Sequence, residues 1–214
     1  MKFTKLLLLF CIFATFLTSA QNKEITLEDI WTGAFRTEGM DALHSMKNGQ
    51  QYSVLNFDRT SGTTSIDVYD YKTLKKVKTL VNSNQLEAIP NFSDYTISED
   101  ESNILLATDV TRIFRRSSLG TYYVYNTKTK DLSLVAEEQI QEPTFSPDGT
   151  KIAYGYKNNL FVKDLSSGTT TQITFDGEKN KIINGITDWV YEEEFGFVRA
   201  FEWNAASDKI AFIR

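Results

Sequence analysis

Cysteine, histidine and proline are all scarce in this chain. The single cysteine, Cys11, lies within the first twenty residues. From Gln21 onward there is no thiol, which excludes a disulfide-stapled scaffold. One histidine, His44, and no later cysteine leave too few ligands for a zinc centre, and no EF-hand pattern is present. A lone histidine would also have to serve any catalytic triad, yet no G-x-S-x-G elbow accompanies it. His44 therefore reads as a partly exposed strand or turn residue. The eleven glycines are scattered among turns, without a P-loop or dinucleotide fingerprint. No metal or cofactor is expected, and the segment is not a self-contained enzyme of any recognisable class.

Long apolar runs are missing too, with one short exception. Lys2 and Lys5 precede an apolar stretch from Leu6 to Leu17, and Thr18-Ser19-Ala20 forms a small-residue cleavage site before Gln21. Together these read as a cleavable signal peptide, residues 1–20. The stretch is shorter than the ~20 apolar residues of a membrane helix, so no membrane span remains after its removal. Cys11 follows Phe10 inside the run, which argues against a lipoprotein anchor. Cleavage after Ala20 removes two lysines, so that 21 basic residues face 28 acidic ones and the formal charge moves from −5 to −7. Such a surface disfavours nucleic acid and anionic lipid as partners. Export without disulfides fits a periplasmic or secreted bacterial protein.

What the chain does have is a repeat. Turn clusters at Ser45 to Gly49, Ser98 to Glu101 and Ser146-Pro147-Asp148-Gly149 are each followed by a short apolar run. After each run comes an alternating segment that ends in a second turn: "SIDVYDYKTLKK", "TYYVYNTKTKDL" and "NNLFVKDLSSGT". Alternation of period two marks half-buried strands, and the Pro-Asp-Gly and Ser-Ser-Gly phrases supply turn chemistry. Each copy reads as an antiparallel sheet of about four strands, with a fourth copy opening at Phe201-Glu202-Trp203. A spacing of roughly 50 residues suits β-propeller blades. A β-sandwich is the rival, but the recurring turn–strand–turn phrase favours the propeller.

The expectation is an all-β chain: the N-terminal part of a β-propeller, with about three blades and the start of a fourth over 41–214. Residues 21–40 form a separate segment, where Thr26 and Asp29 suggest a capped short helix. Because the sequence stops within a strand of the fourth copy, it reads as an N-terminal fragment of a longer protein.

One stretch falls outside the repeat. Between the third and fourth copies lies an insertion, Ile182 to Val198, containing "DWVYEEE". Asp188 is placed to cap a short helix and Gly196 to end it. Neighbouring helical residues are about 100° apart, so two adjacent carboxylates can converge on one cation. Trp189 and Tyr191 are expected to root this helix in the protein while the glutamates project outward. Taken alone, three glutamates in a row are a solvated face.

The phrase "NGITDWVYEEEF" resembles the glutamate motif of the dipeptidyl peptidase IV family of serine exopeptidases. "ITLEDIW", "YTISEDESNILLATD" and "FSPDGTKIAYGYKNNLFVKD" are similar to other parts of the same family's N-terminal region. The resemblance implies a propeller covering a C-terminal α/β-hydrolase domain, absent from this chain, that carries the catalytic serine, aspartate and histidine. It implies that Glu193 and Glu194 bind the α-ammonium of a peptide substrate, with Glu192 a supporting or exposed residue. It also implies an arginine that contacts the substrate carbonyl and steadies the glutamates. "IFRRSS" gives that role to Arg115, with Arg116 beside it as the alternative. The implied activity is release of N-terminal X-Pro or X-Ala dipeptides from peptides with a free N-terminus, by a full-length protein whose relatives are often homodimers. The fragment alone should be inactive. A non-enzymatic secreted propeller that only binds, or a tripeptidyl or oligopeptidase relative, is the alternative.

Overall fold

The computed structural model describes residues 24–37, 39 and 41–214; the expected signal peptide lies outside them. The chain divides into two units between residues 40 and 41. In the first, Thr26 caps a five-residue helix, α1 (Leu27–Trp31). The Thr26 side chain accepts the Asp29 N–H, and the Asp29 carboxylate takes the Thr26 N–H in return, which closes a capping box.

The second unit is a partial β-propeller. Its first blade consists of β1 (Leu43–Ser45), β2 (Gln51–Asp58), β3 (Thr63–Asp70) and β4 (Lys76–Asn82). The second is built from β5 (Asp94–Ile97), β6 (Asn103–Arg112), β7 (Ser118–Asn126) and β8 (Leu132–Leu134). The third contains β9 (Gln141–Phe145), β10 (Lys151–Tyr156), β11 (Asn159–Asp164) and β12 (Thr170–Gln172), and β13 (Phe201–Trp203) and β14 (Ile210–Phe212) open a fourth. Within every sheet, consecutive strands are antiparallel neighbours.

The repeat has a physical basis in two turns. In the first, a serine hydroxyl bonds an aspartate two residues on: Ser98 to Asp100 at 2.7 Å and Ser146 to Asp148 at 2.6 Å. The same serine oxygens accept the N–H of Asn103 and of Lys151, both at 3.0 Å. A residue of positive φ completes the turn in each copy: Gly49, Glu101, Gly149 and Ser207. In the second turn the carboxylate or amide oxygen of Asp70, Asn126 and Asp164 accepts backbone N–H groups two and three residues ahead. Asx-type bonding of this kind offsets the cost of reversing the chain.

Burial follows the blades. Ile66, Val81, Phe92, Ile104 and Leu106 fill a core between the first and second sheets. Leu105, Val124, Ile140, Ile152 and Tyr154 form another between the second and third. Ala153, Leu160, Ile186, Val198 and Phe201 make a third between the third sheet and the strands that follow. A sandwich would have one core between two sheets; here the middle sheets are buried on both faces, as stacked blades require. Hence β6 carries buried residues in succession from Ile104 to Thr108, not alternately.

Candidate functional site

The stretch from Asn184 to Ala200 leaves the blade pattern and returns to it through a closed base. Asn184 is fully buried, and its amide donates to Asp176 Oδ1 at 2.9 Å. Gly185 adopts φ +73, and a Cβ added there would lie 2.5 Å from Leu160 Cδ2. Only glycine combines that φ with that closeness. Ile186 then packs over Gly155, where a Cβ would meet Ile186 Cγ1 at 2.5 Å. Thr187 closes the base, its N–H donating to Val198 O at 3.0 Å and its hydroxyl to Phe197 O at 2.9 Å.

From this base rises α2 (Trp189–Phe195). Asp188 caps it by accepting the Tyr191 N–H at 3.0 Å, and Gly196 ends it at φ 75, donating to Glu192 O. The orientation of α2 differs from the sequence expectation. Trp189 and Tyr191 are 55% and 44% exposed, whereas Glu192 is 1% exposed. A glutamate roots the helix, and the aromatics stay at the surface, with Tyr191 packed on Phe195 and Phe197. The reason is pairing. A buried carboxylate costs several kcal/mol unless hydrogen bonds replace its water, and Glu192 Oε1 accepts the backbone N–H groups of Arg116 and Ser117, the latter at 3.0 Å.

Those amides belong to the tip of the β6–β7 hairpin. β6 gains one residue on β7 between Thr108 and Thr111, and Asp109 takes φ 48. A bulge of this kind bends a strand and re-aims what lies beyond it. The bend is braced by Gln139, whose amide donates to Asp109 O at 2.8 Å. Past the bulge, Arg112 donates to Arg115 O at 2.7 Å and Ile113 N to Ser117 O at 2.9 Å, which holds the tip in one conformation.

The tip and the helix meet at two levels. Arg115 Nε lies 3.4 Å from Glu193 Oε1, with the arginine side chain 73% and the glutamate 19% exposed. Arg116, one residue on, contributes its backbone N–H to Glu192. The two adjacent arginines that the sequence left as alternatives thus face different glutamates. Glu194 is exposed on the next helical position and has no ion pair among the described residues.

Burial pushes the Glu192 pKa up, but the net shift is downward. The nearby Ser117 side chain, the two amides and the Arg116 charge outweigh the burial. Ser117 Oγ itself is buried and makes no hydrogen bond of good geometry, so the amides are the directional contacts.

One further carboxylate gave no signal in the sequence. The β9–β10 register slips between Ala153 and Gly155, and Glu142 there adopts φ 51. Burial raises its pKa; Arg199 opposes the rise and the Glu192 charge adds to it. The Tyr122 hydroxyl shares this environment and is pushed up to about 12, first by burial and then by Glu142 and Asp94.

The chain as a whole is similar to known proteins. A family model described as "Dipeptidyl peptidase IV (DPP IV) N-terminal region" matches residues 98–214. Prolyl endopeptidase FAP of Homo sapiens is 32% identical over 189 residues, 87% of this chain and 24% of that protein. Dipeptidyl peptidase 4 of Felis catus is 33% identical over 174 residues, 79% of this chain and 21% of that one. Among solved structures, Porphyromonas gingivalis dipeptidyl peptidase 4 matches with a TM-score of 0.80 at 34% identity, covering 89% of this chain and 27% of its own. The chain thus spans about a quarter of the length of these relatives.

Proposed function

Because this chain belongs to the dipeptidyl peptidase IV family, we propose that it is the N-terminal propeller portion of an exported serine exopeptidase releasing N-terminal dipeptides. Glu193 and Glu194 bind the α-ammonium of the substrate. Arg115 contacts the substrate carbonyl and keeps Glu193 in place. The catalytic triad is assigned to an α/β-hydrolase domain that the full-length protein carries after this propeller. Residues 1–20 direct the protein to the periplasm or the medium.

The observation that carries this reading is the meeting of Arg115 with Glu193 across two blades, beside an exposed Glu194. An α-amino group has a pKa of about 7.7–8.0 and is mostly cationic at neutral pH. Charge-assisted hydrogen bonds to two carboxylates hold it more strongly than neutral ones. The positive charge of Arg115 offsets repulsion between those carboxylates. Two extended residues reach about 7 Å, so a nucleophile at that distance from the clamp cuts after the second residue. A blocked N-terminus would leave the carboxylates without their partner.

The test uses the full-length protein and an Xaa-Pro chromogenic amide. Glu193→Ala or Glu194→Ala is expected to abolish most of the activity with the circular dichroism spectrum unchanged; near-normal turnover in both refutes the clamp. A second reading, cleavage inside a peptide at proline, is favoured by the relative named prolyl endopeptidase. Cleavage of an N-acetylated peptide with an internal proline would support it.

A further inference from the structure

The three consecutive glutamates differ in setting: Glu194 is exposed, Glu193 is half-buried against Arg115 of the hairpin tip, and Glu192 is buried beneath that tip. Glu192 is the only member of the run that is fully buried, and its contacts lie 75 and 76 residues away in sequence. Both contacts are backbone N–H groups, and both lie within two residues of Arg115. The hairpin tip is bent by the bulge at Asp109 and has its own bonds, from Arg112 to Arg115 O and from Ile113 to Ser117 O. None of these internal bonds ties it to α2. Glu192 supplies that tie from the helix that also carries Glu193 and Glu194.

We propose that Glu192 is a positioning residue for the ammonium clamp, acting as a latch that docks the β6–β7 hairpin tip on α2 and so sets Arg115 against Glu193. It does not touch the substrate. With the latch closed, a single rigid unit presents one cation and two carboxylates at fixed separation. With the latch open, Arg115 is a long, 73% exposed side chain on an undocked tip. The substrate would then have to pay the ordering entropy of the tip on binding. The proposal rests on the clamp reading given above.

Loss of a hydrogen-bonded carboxylate should therefore weaken ground-state binding more than turnover. In the full-length protein, Glu192→Ala is expected to raise KM for an Xaa-Pro amide about tenfold or more, the effect of losing the two hydrogen bonds to the tip, with kcat within about threefold. Labelling by an uncharged serine-directed fluorophosphonate, which has no ammonium, should be unaffected. Glu192→Gln keeps an oxygen acceptor at the same reach and should restore most of the KM; Glu192→Asp keeps the charge but falls short, and should not. If the alanine variant fails to fold, the Gln-against-Asp comparison decides alone. Glu192→Ala with native KM, while Glu193→Ala raises it, overturns the latch. A fall in kcat and in fluorophosphonate labelling with no rescue by Gln also overturns it, in favour of a purely structural role. Native KM in Glu193→Ala as well would instead remove the clamp reading beneath it.

Discussion

Arg115 Nε and Glu193 Oε1 lie 3.4 Å apart, although one residue follows the sixth strand and the other sits on a helix inserted before the thirteenth. The pair is largely open to solvent on the arginine side. Exposed ion pairs contribute about 0–1 kcal/mol to stability, so the contact matters for what it presents more than for what it holds together.

Arg115→Ala should accordingly leave the unfolding midpoint almost unchanged while raising KM for an Xaa-Pro amide about tenfold in the full-length protein. Arg115→Lys should recover only part of that loss, since an ammonium cannot reproduce the planar guanidinium. Steady-state kinetics and a denaturant titration on the same preparations separate the two effects.

Gly185 offers a test of the fold under the site. Its φ is +73, and Leu160 comes within 2.5 Å of where an alanine methyl would stand. Gly185→Ala is therefore expected to cost about 2–4 kcal/mol, from left-handed strain plus overpacking. Gly62 has a similar φ of +68 with open space around it, so Gly62→Ala should cost only about 1–2 kcal/mol. Equal losses in urea unfolding would show that packing against Leu160 contributes nothing.

Glu142 leads to a pH prediction. Its folded pKa is raised, by burial first, so the folded state holds its proton more tightly than the unfolded chain. Stability from this group is complete below the ordinary carboxylate value of about 4.3 and is lost as pH rises through the folded pKa. Glu142→Gln mimics the protonated form. The variant should match the native protein in the acid range and exceed it near neutrality, as read from denaturation midpoints across pH. A variant that is less stable at every pH would contradict this sign.

The parts of the molecule that were legible in the sequence are those whose chemistry is local. Ser146 and Asp148 sit two residues apart, and Asp164 lies within three residues of the amides it caps; such turns recur as phrases. Asp188 and Gly196 mark the ends of α2 for the same reason. Glu192 was harder, because its partners are amides some 75 residues away. Every residue but proline has an N–H, so that contact leaves no pattern of residue types to find. The inverted setting of α2, with aromatics outside and an acid inside, follows from it. Glu142 was invisible because its setting depends on a strand bulge and on the distant charges of Arg199 and Glu192, none of which has a short-range signature.

The latch at Glu192 has a consequence for how this surface can vary. Since the carboxylate's two hydrogen bonds go to amides, the bonds themselves do not depend on which side chains stand at Arg116 and Ser117. The exposed Arg116 can change size and shape without losing its bond, but its positive charge also favours the ionised carboxylate, so a negative side chain there would oppose the grip. Proline, which brings no N–H, is the one substitution both positions must refuse.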